Sequence, residues 1–442
     1  MKIKKGDKRL IRAWAFYDWA NSAYALVISS AIFPIFYEKV TNRNGNDTLH
    51  FLGMSFKNTE LYSYALALSF LIVAFLSPIL SSIADYSGNK KKFMQFYTYL
   101  GAFSTMMLFF FKGPDTVWLG ITFSVLASIG FWGSLVFYNA FLPEIAEYDQ
   151  QDNVSAIGFA YGYVGSVLLM IFNLTMILHP EWYGIEDATL PARISFLSVG
   201  IWWIIFSQYT FYVLPDNVYN VKPPKRKGYL FKGYIELKKV FNQLLHYPDL
   251  KRFLVSFFLY SLAAQTIFYV AGLFGSKELQ LDSGKLIATI LVIQLVGIVG
   301  ALGFSRISRI IGNIKALQVI LLIWVGITVS AYYLDKNNPN VEIQFYILGG
   351  FVGLVMGSIQ ALSRSSYSKM IPGDTLKHAT FFSFYDFAEK IAIVLGTFAF
   401  GALEALTGSM KAAVLMMAGI FFIAMLILGF IKSKCVVNQR DT

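Results

Sequence analysis

Residues 81–91 read SSIADYSGNKK, and residues 305–315 read SRISRIIGNIK, 224 positions further on. Serine, glycine, asparagine and lysine recur at matched places, as Ser81 with Ser305, Gly88 with Gly312, Asn89 with Asn313 and Lys91 with Lys315. The same offset sets Gly133 and Ser134 on Gly357 and Ser358, and Tyr161 on Tyr385. A shared offset predicts an internal repeat. The sequence that flanks each copy decides what kind of unit is repeated.

The flanks are apolar. The chain of 442 residues is 56% hydrophobic and only 14% charged, against roughly a quarter charged in soluble proteins. Crossing a bilayer core as a helix takes about 20 apolar residues. Twelve such stretches are expected, at 14–37, 60–83, 93–111, 117–141, 155–178, 193–214, 252–274, 285–304, 316–334, 342–363, 380–403 and 412–431. With the N-terminus inside, the inner connections carry 27 Lys and Arg and the outer ones 9, with Lys390 left within a span. The excess of inner positive charge predicts cytoplasmic termini. The net charge of +11 is therefore a topology signal and not a nucleic-acid signal. The basic start MKIKKGDKRLIR leads into a span, because the apolar run behind it is too long and too aromatic for a signal-peptide core.

The longest inner connection divides the spans six and six. Three units are expected: an N-terminal six-helix bundle (1–214), a cytoplasmic linker (215–250) and a C-terminal six-helix bundle (251–442). In the linker, Phe231, Tyr234, Ile235, Phe241, Leu244 and Leu245 recur at helical spacing, which predicts an amphipathic helix on the inner membrane surface. The fold class is thus an all-α membrane protein of twelve transmembrane helices in two pseudo-symmetric bundles. Parallel six-span repeats are the architecture of alternating-access carriers.

SSIADYSGNKKK resembles the loop between spans two and three of the major facilitator superfamily, G-x-x-x-D-x-x-G-[RK]-[RK]. Asp85 and Gly88 match, Ser81 stands for the first glycine, and Asn89 replaces the first base. RAWAFYDWANSAYALVISSAIFPIFY (12–37), FYNAFLPEIA (137–146), GSIQALSRSSYSKMIP (357–372) and FFSFYDFAEK (381–390) together are similar to the vacuole-effluxer-like branch of that superfamily. The resemblance implies the twelve-helix fold and solute transport, and no particular substrate. The long loops of fungal members are not seen here, which favours a bacterial inner membrane.

Candidate residues are those whose polarity is costly at depth. In span eleven, Asp386 lies about 9 Å and Lys390 about 15 Å from the inner end, at 1.5 Å per residue. They are four apart and share a face, with Glu389 one step round. An unpaired charge there costs at least ~2.5–3.5 kcal/mol. At the repeat offset the three fall on Gly162, Gly165 and Ser166, and Gly158, Gly162 and Ser166, four apart, make a small-residue stripe suited to packing. Asp386 and Glu389 are read as proton-coupling carboxylates, and Lys390 as a group that attracts an anionic part of the substrate or tunes those acids. The alternative is a salt bridge that holds span eleven to its neighbours.

The resemblance implies that the first span lines the cavity. Asp18 is read as a proton-coupling or amine-binding acid, with Tyr17, Asn21 and Tyr24 bonding solute. The alternative pairs Asp18 with Arg12, Arg364 or Lys369. Asn139, Gln265, Tyr269, Gln294, Gln360 and Tyr385 are further substrate candidates, each with an interhelical hydrogen bond as the bland alternative. At the inner surface LPEIAEYDQQDN (142–153) has four acids and no base, facing basic neighbours. Asp85, Lys90, Lys91, Glu144, Glu147, Arg309 and Arg364 are read as a cytoplasmic gate of ion pairs, against a merely solvated turn.

The chemistry of enzymes finds little support. No P-loop, H-E-x-x-H or G-x-S-x-G is present. Cys435 is the sole cysteine and the four histidines are scattered, so disulfides, metal and cofactors are not expected. The expected function is a secondary active transporter of a small polar solute, an amino acid or related metabolite, working as a monomer in the lipid bilayer, with proton coupling open. A lipid-handling protein of the same fold is the alternative.

Overall fold

The computed structural model describes residues 4–42, 48–217, 229–373 and 375–431. Cys435, the start of the linker from 218 to 228 and the side chain of Phe231 lie outside the described residues. The helices are α1 (Lys8–Ala23), α2 (Phe33–Thr41), α3 (Asn58–Ser87), α4 (Lys90–Met107), α5 (Val117–Ile145), α6 (Gln151–Leu178) and α7 (Leu190–Val213). They continue as α8 (Tyr229–His246), α9 (Pro248–Leu273), α10 (Ser283–Ile311), α11 (Asn313–Tyr332), α12 (Val341–Met370), α13 (His378–Thr407) and α14 (Met410–Gly429). Among the described residues, eleven helices are long and apolar enough to cross a membrane. Helix α4 falls short of that composition because Lys90, Lys91 and Lys92 crowd its first turn. Its apolar part is the expected third span, continued by the tight turn Leu108–Phe110.

Sequence signals place the ends. Asp7 accepts the amide of Arg9 at 2.8 Å and starts α1. Gly88, at φ 68°, ends α3 in the left-handed conformation that favours glycine. α1 does not run straight into α2. The turns between them, Tyr24–Ile32, are wound as a π-helix. Pro34 sits in the first turn of α2, where it cannot donate to the Ser30 carbonyl and its ring crowds that group. The wider winding accommodates this, and the Ser30 hydroxyl donates to the Ala25 carbonyl at 2.8 Å. A second π-helical turn, Phe274–Glu278, comes directly after α9.

One small β element interrupts the all-α plan. Strands β1 (Thr48–Phe51) and β2 (Met54–Lys57) pair antiparallel, Thr48 opposite Lys57 and Phe51 opposite Met54. Leu52 and Gly53 turn the hairpin with φ of 51° and 80°, the twist that two-residue hairpins favour.

Helices of the first half pack on one another, α1 on α6 and α7 and α4 on α5. In the second half α10 packs on α12, α11 on α14 and α9 on α13. The halves meet where α3 touches α13 and α6 touches α10. Glycines permit the closest approaches. A Cβ on Gly130 would run into the main chain of Gly101 and lie 2.7 Å from the Tyr97 carbonyl. Neither helix backbone can yield cheaply. Gly130→Ala is expected to destabilise the detergent-solubilised protein by about 1–3 kcal/mol, read as a lower thermal unfolding midpoint. An unchanged midpoint would show that α4 and α5 are not packed this tightly.

The apolar face of α8 divides. Val240 and Leu244 are buried against the bundle, while Tyr234, Ile235, Phe241 and Leu245 remain exposed. Glu236 reaches Lys377 at 2.5 Å, and the Phe241 ring approaches Phe384. The linker helix is therefore docked on the end of the bundle that carries the basic loops, hereafter the basic end.

Candidate functional site

A central cavity of about 170 Å³ lies between the halves. α1 contributes Asp18, Asn21 and Ser22, and the π-helical segment contributes Tyr24, Ser29 and Ser30. α5 and α6 supply Trp132, Asn139 and Tyr163. Across from them stand Gln265 and Tyr269 of α9, Gln294 of α10, Gln360 and Arg364 of α12, and Tyr385 and Glu389 of α13. Ten of the residues singled out as substrate or coupling groups thus line one chamber: Asp18, Asn21, Tyr24, Asn139, Gln265, Tyr269, Gln294, Gln360, Tyr385 and Glu389.

Arg364 forms the floor at the basic end. Its sequence position suggests an inner-edge gate residue, yet it is 3% exposed. Its Nη1 and Nη2 donate to Asp18 Oδ2 at 3.4 and 3.5 Å. Nη1 also donates to Asn139 Oδ1, Nε to the Ser155 hydroxyl and Nη2 to the Ser155 carbonyl. The guanidinium lies over the rings of Phe159 at 4.2 Å and Trp14 at 4.8 Å. Tyr138 donates to the same Asp18 oxygen at 2.8 Å, and Trp14 Nε1 donates to the Tyr138 carbonyl. The alternative in which Asp18 pairs with a base is the arrangement found, and the pair borders the cavity. Gly158 makes it possible. A Cβ there would stand 2.6 Å from Asp18 Oδ2. Gly158 and Gly162 of the small-residue stripe on α6, and Gly165 beside it, abut α1 or its side chains.

The span-eleven trio divides between two faces. Lys390 bonds Glu389 at 2.5 Å and Asp386 at 3.2 Å, and its ammonium sits 3.5 Å from the centre of the Trp132 ring. Glu389 also accepts from Gln265 Nε2 at 3.3 Å. Tyr385 and Glu389, one turn apart, face the chamber. Asp386 and Lys390, also one turn apart, point away from it toward α3 and α5. Lys390 is fully buried and does not line the cavity, so its reading as a group that meets the substrate is corrected: it is the counter-ion behind Glu389. Tyr17 is corrected likewise. Its hydroxyl is bonded to Thr98 at 2.6 Å inside the first half.

Polar contacts do join the halves at the basic end, through a set of residues different from the one expected. Asp85, at the end of α3, accepts the amides of Ala379 and Thr380 at 3.3 and 2.7 Å and the Thr380 hydroxyl at 2.8 Å. It thus caps the positive end of α13 from the other half. Asp152, at the start of α6, accepts from Lys369 at 2.6 Å, Asn313 at 2.7 Å and Ser308 at 3.3 Å. The two clasps sit at repeat-related places, the end of one half's second span and the start of the other half's fifth, but at the second the close partners come from α11 and α12, with Ser308 alone from the end of α10. The Ser155 hydroxyl adds a bond to the Ala361 carbonyl at 2.8 Å.

Lys90 pairs with Glu144, but both belong to the first half. Lys91 bonds the Leu214 carbonyl and Asp216 and holds the end of α7. These two lysines and Glu144 therefore do not bridge the halves. Glu147 and Arg309 are exposed at the surface, because the helix ends turn them to solvent. Sequence reasoning did not find Trp14, Tyr138, Ser155 or Tyr163, whose roles come from partners more than a hundred residues away.

Membrane-crossing helices around a polar central chamber, with clasps between the halves at one end, define a transporter of the major facilitator superfamily and not an enzyme. The chain belongs to the vacuole effluxer Atg22-like family, which it matches over residues 6–439. It is 32% identical over 425 residues to the uncharacterized MFS-type transporter YxiO of Bacillus subtilis (strain 168), covering 96% of this chain and 94% of that protein. It is 22% identical over 476 residues to autophagy-related protein 22-1 of Penicillium rubens, covering 88% and 78%. In three dimensions it is similar to the human organic anion transporter MFSD10, with a TM-score of 0.71 at 12% identity, covering 96% of this chain and all of that one.

Proposed function

We propose that the protein is a secondary active carrier of a small polar solute, an amino acid or related metabolite, working by alternating access and coupled to protons. Residues 1–214 and 251–442 act as two bundles that rock about the cavity, joined by the 215–250 linker. The carrier works as a monomer in a bacterial inner membrane, with both termini in the cytoplasm, as the bias of Lys and Arg supports. One observation carries the reading. The chamber is lined by an acid from each half, Asp18 and Glu389, and by the base Arg364, and the clasps at Asp85 and Asp152 join the halves at its basic end. Such a chamber serves a water-soluble ligand that arrives from the far side and leaves once the clasps part. Asp18 and Glu389 are the carboxylates at which a proton or an amine is held, and Gln360, Tyr163 and Asn139 fix solute by hydrogen bonds.

The test is uptake of labelled amino acids into proteoliposomes with and without a pH gradient. Wild type is expected to accumulate at least one of them faster with the gradient. Asp18→Asn, at equal reconstituted amount, is expected to lose about tenfold or more in initial rate, corresponding to about 1.4 kcal/mol. Lipid scrambling without solute uptake would instead favour the lipid-handling reading.

A further inference from the structure

Charge and hydrogen-bond capacity around the cavity are not balanced, and the imbalance has a direction. Among the described residues that line the chamber, Arg364 is the one base. A guanidinium carries five N–H donors, and all five have acceptors in Asp18, Asn139 and Ser155. It has none left for a substrate carboxylate, and with Asp18 it forms a neutral unit. On the opposite wall, Asp386 and Glu389 face one ammonium, that of Lys390. The trio therefore carries one formal negative charge inside the bilayer, with Asp386 Oδ2 lacking a hydrogen-bond partner. Glu389 is its member that reaches the chamber, with a side chain 16% exposed.

Two further groups mark the vacant places. Gln294 is 6% exposed, lines the cavity, and its acceptor Oε1 has no partner. Asn21 is 1% exposed, lines the cavity, and its donor Nδ2 has no partner. The wall near Glu389 is aromatic, with Trp132, Tyr269 and Tyr385. Aromatic faces and a surplus carboxylate attract cations. A free acceptor suits an N–H donor, and a single neutral donor suits a carbonyl or hydroxyl oxygen.

Resting on the carrier reading above, we propose that Glu389, with Gln294 and the aromatic wall, forms a subsite for the ammonium group of the solute, while the carboxylate end meets no free cation and is dispensable. The substrates are then primary ammonium compounds, with amino-acid amides and simple amines accepted beside amino acids. Lys390 holds the two acids together and keeps the site from overbinding.

Binding to the detergent-purified full chain at neutral pH tests this without transport. Valine, valinamide, isobutylamine and 3-methylbutanoate share one apolar tail, and the corresponding phenylalanine set provides a larger one. The amide and the amine are expected to bind within about tenfold of the amino acid, and the acids at least tenfold more weakly than the amines. Glu389→Gln is expected to weaken the amines by about tenfold or more, and Glu389→Asp to restore most of that loss. Acids that bind as well as amines, or no binding by any ammonium probe in either set, would overturn the proposal. Loss of gradient-driven uptake with this selectivity intact would instead count against the carrier reading.

Discussion

Arg364→Ala is expected to be the most damaging single substitution in the chain, with a sharp fall in membrane yield and thermal midpoint and transport reduced to background. Removing the guanidinium strips Asp18 of its counter-ion while leaving it 4% exposed. Breaking a buried pair by deleting one partner costs about 3–5 kcal/mol, because the remaining charge is left without compensation. Ser155 and Asn139 lose their donors at the same time, and the Trp14 and Phe159 rings lose the cation between them. Neutralising both partners removes the penalty. Asp18→Asn with Arg364→Gln should recover much of the stability without recovering transport. The double-mutant cycle measures the coupling. A single variant whose midpoint falls by less than about 2 °C, where 1 kcal/mol shifts a midpoint by a few degrees, would show that the pair is solvated.

The helices and the order of the spans were legible because apolar length and loop charge are local properties. The chamber was partly legible for a related reason. A polar residue deep in a span is costly wherever it points, so Asp18, Asn21, Gln265 and Gln360 stand out in a one-dimensional reading. What depth does not give is azimuth. Tyr17 and Asp18 are neighbours, yet one bonds Thr98 within its half and the other meets Arg364 across the cavity. Asp386 and Glu389 are three apart, and a modest rotation separates a group that lines the chamber from one behind it. Acid and base counts likewise announced polar contacts at the basic end without their pairings. Glu147 and Arg309 carry the right charges but are exposed to solvent, whereas Asp152 finds Lys369 and Asn313 because α6 starts beside the end of α12 and the start of α11. The π-helical turns of the first span had a sequence cause in Pro34, but proline in a membrane helix has several outcomes and the sequence does not choose among them.

Asp85→Asn combined with Asp152→Asn is expected to open the basic end. Asp85 holds the positive end of α13, an interaction worth up to ~2 kcal/mol when partly buried. Loss of Asp152 leaves Lys369, only 8% exposed at its side chain, without its carboxylate. Both changes remove attraction between the halves in the closed arrangement and nothing from the arrangement in which that end is open. The equilibrium therefore shifts by the full difference, with each 1.4 kcal/mol a factor of about ten. Replacing Cys435 gives a cysteine-free background. Ala361→Cys then reports on the basic end, where Ala361 is fully buried beside Ser155, and Ser30→Cys reports on the opposite mouth of the chamber. The double variant is expected to raise the maleimide labelling rate at position 361 by about tenfold or more and to lower it at position 30. The opposed signs are what make the test decisive. General loosening of the bundle would raise both rates, and clasps with no part in gating would change neither.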